Sequence, residues 1–207
     1  NCRLCDGVSR EYHEYLGKLY LHCSTCRAIF LAPQFYIDPV LEQSRYLEHN
    51  NDVTDPRYQD FVSPITQGIK EHFPVTAKGL DYGCGTGPVA AVELQKSGYS
   101  VALYDPFFAN NPKVLGDQYD FIICCEVMEH FHNPYVEFKR LRRLLLPNGR
   151  LYCKTAVFSE QTDFGSWYYK NDPTHVFFYT AASLEWIKDM IGFRSLKNEP
   201  LLITFSL

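Results

Sequence analysis

Leu80-Asp81-Tyr82-Gly83-Cys84-Gly85-Thr86-Gly87 sets the pattern G-x-G-x-G directly after a short strand signal, Lys78-Gly-Leu-Asp-Tyr82. A helical run, Gly87–Ser97, follows at once, and Gly98 stops it. Glycines at such a junction let the backbone pass close beneath a ligand, and the helix N-terminus offers unpaired N–H groups to an anion. The neighbours narrow the reading. No Gly-Lys-Ser/Thr follows, so the loop is not a phosphate-cradling P-loop; position 88 is Pro88, so the dinucleotide pattern G-x-G-x-x-G is not met. Asp105 closes the next strand, Tyr99–Asp105, where a carboxylate can accept both hydroxyls of a ribose.

Downstream of the loop, strand and helix alternate. Tyr119–Cys125 is apolar on both faces, as in a buried parallel sheet. Pro134–Leu146 reads as a helix, Pro147-Asn148-Gly149 as a turn and Arg150–Val157 as a strand. Ala181–Ile191 is a helix stopped by Gly192. Phe193–Leu196 and Leu201–Phe205, joined through Asn198-Glu199-Pro200, form a terminal hairpin. The alternation predicts an α/β, Rossmann-like, doubly wound and mostly parallel sheet over residues 79–207, with its ligand at the carboxyl ends of the strands. Upstream, residues 33–78 read as a helical connector. One helix spans about 39–48 and is ended by Asn50-Asn51-Asp52; a second opens at Asp55-Pro56, with a break or kink expected at Ser63, before Pro64.

Composition bounds the function. The 207 residues are 46% hydrophobic and 21% charged, with 20 Lys+Arg against 24 Asp+Glu and a net charge of −4. A folded chain of this size can bury roughly 70–75% of its unfolded surface without staples, so one α/β domain plus a small appendage fits. The mild acidity argues against broad nucleic-acid binding, while leaving a locally held small RNA open. No apolar stretch is long enough to span a membrane, and no secretory apolar region opens the chain. The chain opens at Asn1 without a methionine, leaving room for a short preceding segment.

The eight cysteines form two groups. Cys2, Cys5, Cys23 and Cys26 make C-x2-C-x17-C-x2-C, within the spacing of a four-cysteine zinc ribbon. Two tight knuckles can complete a tetrahedron, and metal coordination would supply folding energy that so short a segment lacks. Two disulfides, or redox C-x-x-C pairs, are the rival reading. Residues 1–32 therefore form the expected zinc module, with Lys18–His22 and Ala28–Leu31 as its short strands. Cys84, Cys124, Cys125 and Cys153 sit in apolar or glycine-rich surroundings, as buried free thiols do. Free thiols beside a thiolate metal site point to a reducing compartment, hence the cytoplasm.

D-Y-G-C-G-T-G (81–87), Y-D-P (104–106), Y-D-F-I-I-C-C-E-V-M-E-H (119–130) and L-L-P-N-G-R-L (145–151) occur in an order that resembles the class I S-adenosylmethionine-dependent methyltransferases. The resemblance covers residues 75–207. It implies a seven-stranded sheet with its last strand antiparallel. It also implies that Asp81, Gly83, Gly85 and Gly87 hold the methionine part of the cofactor, that Asp105 holds the ribose, and that Cys125 and Glu126 lie beside it. The N-terminal cysteines followed by a helix bearing Tyr46 look like a subgroup of these enzymes fused to a zinc ribbon. One departure stands out: only Pro106 to Gln118 separate Asp105 from Tyr119. The family's third strand must be short or missing, and Asp117 is the candidate left for the adenine contact.

Glu126, Glu129 and His130 follow the fourth strand, and His175 follows the fifth. Residues three and four apart share a face if the segment turns into a helix. Two Glu and two His can hold Mg or Mn with open water positions. The pattern resembles two metal-using O-methyltransferase groups, those of small-RNA terminal ribose and of the ubiquinone pathway. Equally, His130 or His175 can serve as a metal-free general base. His13, His22, His49, His72 and His132 read as surface or packing residues. Trp167-Tyr168-Tyr169 and Phe177-Phe178-Tyr179 surround His175 and can close a water-free site; Phe177 and Phe178 read rather as core. Ser159–Asp163 and Gly165 suggest a mobile lid. The expected activity is methyl transfer to an oxygen of a small molecule or sugar. The alternative is a non-catalytic cofactor-binding module that docks a protein or RNA partner through its ribbon.

Overall fold

The computed structural model describes residues 1–48 and 51–207. His49 and Asn50, the latter part of the cluster expected to end the first helix, lie outside the described residues. The chain begins with three antiparallel strands, β1 (Ser9–Tyr15), β2 (Lys18–Cys23) and β3 (Ile29–Leu31). Two helices follow, α1 (Pro39–Leu47) and α2 (Pro56–His72), each with Pro at its first position and an aspartate cap. Asp38 accepts from the amides of Val40 and Leu41, and Asp55 from that of Arg57.

The expected break at Ser63 does not occur: α2 continues through Pro64. Proline removes the N–H that would bond the Asp60 carbonyl, and the Ser63 hydroxyl donates to that carbonyl at 2.8 Å instead.

The remaining elements are β4 (Lys78–Tyr82), α3 (Val89–Lys96), β5 (Ser100–Tyr104), β6 (Tyr119–Cys125), α4 (Pro134–Leu144), β7 (Leu145–Lys154), β8 (Phe177–Phe178), α5 (Ala181–Ile191), β9 (Ser195–Glu199) and β10 (Leu202–Ser206). The main sheet runs β5-β4-β6-β7-β10-β9. Its first four strands are parallel, and β10 is antiparallel to both neighbours. Among the described residues the sheet has six strands, not the seven implied by family resemblance. A parallel crossover alone consumes about a dozen residues, so residues 106–118 can return from β5 to β6 with a 3-10 turn at Pro112–Gly116 and nothing more.

The expected Pro147–Gly149 turn is absorbed into β7. Asn148 takes a positive φ of 64° there, and the pairing with β6 slips between Tyr119 and Phe121.

Residues of β6 alternate between two cores. Phe121 and Ile123 pack with Ile65 and Ile69 of α2 and Leu94 of α3; Ile122 and Cys124 pack with Phe138 and Leu141 of α4 and Leu184 of α5. Strand ends pointing beyond these layers are therefore what a ligand meets.

The N-terminal strands do not close on themselves. β8, from far downstream, adds to β3 and completes a sheet β1-β2-β3-β8. Leu4 and Phe30 share a core with α4 and α5, while Tyr20, Ile29 and Leu31 pack on Phe158, Phe164 and Tyr169.

Candidate active site

The glycine loop leaves β4 through two positive-φ residues, Gly83 at 81° and Gly85 at 60°. A Cβ on Gly83 would lie 2.6 Å from the Val127 methyls, and one on Gly87 1.8 Å from the Asn51 carbonyl oxygen. Both positions demand glycine for space. Asp105 fastens the loop. Its Oδ2 accepts from the Gly85 amide at 3.0 Å, and its Oδ1 accepts from the amides of Phe107 and Phe108 at 2.8 and 3.0 Å. Asp81, at the end of β4, is 5% exposed. Burial pushes its carboxyl up to about 7 and the Asp105 charge adds to this, while the Ala91 amide opposes both.

Asp81, Gly83, Gly85, Gly87, Asp105, Cys125 and Glu126 all line one cleft of about 1240 Å³. Asp117 is exposed and does not line it. Beyond Asp105 the walls are Phe107, Phe108, Tyr104 and Phe131.

Across the cleft, the chain leaves β6 through Glu126, whose φ is 51° and whose amide bonds the Lys154 carbonyl at 2.8 Å. A 3-10 turn, Met128–His130, replaces the anticipated helix and sends Glu129 into the interior, where it is 0% exposed. The Tyr169 hydroxyl donates to Glu129 Oε1, lies 3.1 Å from Glu126 Oε2 and stands 3.0 Å from Thr155 Oγ1. One phenolic proton serves two carboxylates, and burial raises the proton affinity of both; for Glu129 the Glu126 charge raises it further. Both carboxyls are thus shifted toward the protonated form, Glu129 the more strongly. Glu129 Oε2 is buried and has no hydrogen-bond partner among the described residues.

Two imidazoles face this pair. His130 Nδ1 lies 3.0 Å from the Thr174 carbonyl and His175 Nδ1 2.7 Å from the Tyr169 carbonyl. A carbonyl only accepts, so both Nδ1 atoms carry a proton, and each ring in its neutral form has its lone pair on Nε2. His130 Nε2 is 4.0 Å from Glu129 Oε1, and the two rings meet edge-on at 4.8 Å. One potential ligand atom each from Glu129, His130 and His175 lies within 4.8 Å of the others.

Side chains that sequence reasoning left without a role complete the rim. Tyr46 of α1 donates to Glu42 Oε1 at 2.7 Å and sets its ring edge-on to His130. Arg45 binds Asp172 Oδ2 through Nε and Nη2 at 3.1 and 2.9 Å. Burial favours protonation of Asp172, but bonds from Thr174, the His175 charge and the bond from Arg45 outweigh it and hold the carboxyl at about 2. Tyr169 carried a weak signal as part of an aromatic triplet; Thr155 and Arg45 carried none. In the segment expected to be a lid, Ser159, Glu160, Gln161 and Asp163 are exposed, while the adjoining Phe164 is 3% exposed among Tyr12, Tyr20 and Phe178. His13, His22, His72 and His132 make ring contacts, with Phe164, Tyr12, Phe73 and Tyr36 in turn.

The four N-terminal cysteines are free thiols drawn together, Cys2 Sγ 3.6 Å from Cys26 Sγ and Cys5 Sγ 3.3 Å from Cys23 Sγ. Amides of Leu4, Gly7 and Thr25 point at the sulfurs of Cys2, Cys5 and Cys23, each at 3.4 Å. A tetrahedron with bonds of about 2.3 Å has edges of roughly 3.8 Å, so the set fits a four-coordinate ion.

A parallel sheet with a glycine loop and two carboxylates at its strand ends defines the architecture of a nucleoside-cofactor methyltransferase. Residues 44–198 match the methyltransferase-domain family, and the chain belongs to it. An 80-residue stretch is 32% identical to the ubiquinone biosynthesis O-methyltransferase of Dinoroseobacter shibae. The match takes in 39% of this chain and 32% of that protein, so it spans about a third of the length of the curated relative. The 1,6-didemethyltoxoflavin-N1-methyltransferase of Burkholderia thailandensis, solved with 1,6-didemethyltoxoflavin and S-adenosylhomocysteine, superposes over 95% of this chain and 98% of its own. Its TM-score is 0.57 at 14% identity. Human N-acetylserotonin methyltransferase, solved with S-adenosylmethionine, superposes over 72% of this chain and 53% of its own, with a TM-score of 0.54 at 13% identity. At such identities the likeness is one of fold. Among the described residues, no helix is long and apolar enough to cross a membrane.

Proposed function

We propose that the protein transfers a methyl group from S-adenosylmethionine to an oxygen of a small molecule or sugar. The observation that carries this reading is the meeting, in one cleft, of the glycine loop and Asp105 with the Glu126, His130 and His175 side chains opposite. The family match and the O-methyltransferase relative support it.

When bound, the cofactor supplies an electrophilic methyl on a sulfonium. Asp81 takes the ammonium of its methionine part, and the backbone at Gly83, Gly85 and Gly87 lets that part approach. Asp105, already oriented by three amides, accepts the ribose hydroxyls with its remaining lone pairs. Cys125 and Glu126 close the near wall. His130 or His175, with Nε2 basic, takes the proton from the acceptor hydroxyl as that oxygen approaches the methyl. Tyr46 and Phe107 help to exclude water.

The donor set also fits a divalent cation, because Glu129 Oε2 is buried without a partner beside two imidazoles. Glu129, His130 and His175, with Glu126 at the edge, would hold Mg or Mn, which would lower the pKa of a bound acceptor hydroxyl. Cys2, Cys5, Cys23 and Cys26 would hold a structural zinc. The division into a zinc module (1–32), a helical connector (33–78) and a cofactor domain (79–207) belongs to the same reading, as does a reducing, cytoplasmic setting for the free thiols.

The test pairs calorimetry with S-adenosylhomocysteine and a screen of acceptors with labelled cofactor. His130→Ala and His175→Ala should lose turnover and keep S-adenosylhomocysteine affinity. Wild-type protein that does not bind S-adenosylhomocysteine would refute the proposal. Activity insensitive to EDTA would remove the cation and leave the histidine base.

A further inference from the structure

Lys170 is 3% exposed, although lysine is among the costliest residues to bury. Its ammonium donates to the carbonyls of Gly165 at 2.7 Å and Trp167 at 3.2 Å, and stands 4.1 Å from the ring centroid of Tyr15 in β1. Its own carbonyl accepts from the Tyr20 hydroxyl of β2 at 3.4 Å. The turn 165–170 is thus drawn onto the N-terminal hairpin by a cation–π contact and one hydrogen bond, while two further bonds tie the ammonium to the turn's own carbonyls.

The residue beside it touches the Glu/His cluster twice. The Tyr169 hydroxyl meets Glu126 and Glu129, while its carbonyl accepts from His175 Nδ1 at 2.7 Å and its ring lies tilted against that of His175, 4.2 Å between centroids. His175 is held from its other side by the same N-terminal sheet. The Leu31 amide bonds the Val176 carbonyl at 2.9 Å, the Val176 amide bonds the Glu129 carbonyl at 2.9 Å, and β8 pairs with β3. The glycine loop, Asp81 and Asp105 hang from β4 and β5, strands that belong to the other sheet.

We infer that Lys170 is a positioning residue, through which the N-terminal hairpin sets Tyr169 and His175 against the Glu126–Glu129 pair. The inference rests on the catalytic reading of that cluster. It makes the cysteine-bearing segment a support behind Tyr169 and His175, where displacement by an ångström costs rate rather than cofactor affinity.

The test uses the full chain labelled with 13C-histidine, with the His175 ring signal assigned by its loss in His175→Gln. The Tyr169 ring displaces that signal from its free position. In Lys170→Met the signal should move toward the free position, while the dissociation constant for S-adenosylhomocysteine changes less than about twofold. Lys170→Arg, which keeps a cation over Tyr15, should restore the wild-type signal. Should Lys170→Met not fold, Tyr15→Leu removes only the ring contact, and a smaller shift in the same direction is expected. A His175 signal unchanged in the folded variant, or S-adenosylhomocysteine affinity lost in parallel with the shift, overturns the inference. Wild-type protein that ignores S-adenosylhomocysteine, with the Lys170→Met shift intact, would instead sink methyl transfer and leave the positioning role.

Discussion

Asp81 offers the sharpest quantitative test of the cofactor site. Its carboxyl is pushed from its ordinary value of 3.8 to about 7, mainly by burial. A ligand ammonium needs the ionised form, so binding below pH 7 must first remove a proton. With a pKa of about 7 the ionised fraction is about one-half at pH 7 and about one-hundredth at pH 5. Affinity for S-adenosylhomocysteine should therefore fall about fiftyfold over that range, or ~2.3 kcal/mol. At pH 6, binding should release about 0.9 proton, readable by calorimetry in buffers of different ionisation enthalpy. Asp81→Asn should bind more weakly at pH 7 and lose this pH dependence; ionisation of the ligand is common to both proteins and cancels. Stability carries the opposite sign. Because the folded-state pKa lies above the unfolded one, the protonated carboxyl favours the fold, and the ligand-free protein loses on the order of 4 kcal/mol from this group as pH rises from about 4 to 7. Asp81→Asn should accordingly melt above wild type at pH 8 and not at pH 4. Wild-type affinity equal at pH 5 and pH 7, or a slope that survives Asp81→Asn, would refute the reasoning.

Asp105→Ala removes the acceptor of three loop amides and should weaken S-adenosylhomocysteine at least tenfold by calorimetry; unchanged affinity counts against the ribose role. Tyr169→Phe strips the donor from the buried Glu129 and the half-buried Glu126. It should cost about 1–3 kcal/mol, lowering Tm by roughly 3–10 °C in scanning calorimetry, and should reduce turnover with S-adenosylhomocysteine affinity kept. Gly79→Ala would place a Cβ 2.1 Å from the buried Phe121 ring, and denaturant unfolding should show a loss of about 1–3 kcal/mol. Elemental analysis should find about one zinc per chain, whereas metal-free protein with paired cysteines would overturn the four-thiolate site.

Local rules in the sequence were enough for most helices and sheet strands from Lys78 onward and for the loop and carboxylates at the strand ends, but not for β1 or β8. The glycine loop, the strand-end aspartates, the two C-x2-C knuckles and the cap at Asp55 are each written within a few neighbouring residues. Counting from Asp105 to Tyr119 even warned of the lost strand. The departures came where a side-chain hydrogen bond or the packed interior overrides local preference. Pro64 stays helical because a neighbouring hydroxyl answers the freed carbonyl, and Glu129 enters the core on a 3-10 turn rather than a helix. Tertiary structure alone decided that Tyr169 meets a carboxylate forty residues away, that Lys170 reaches Tyr15, and that β8 completes the N-terminal sheet. A hydrogen bond or ring contact across such separations leaves no periodicity along the chain. It exists only once two sheets have packed and fixed which side chains share a space.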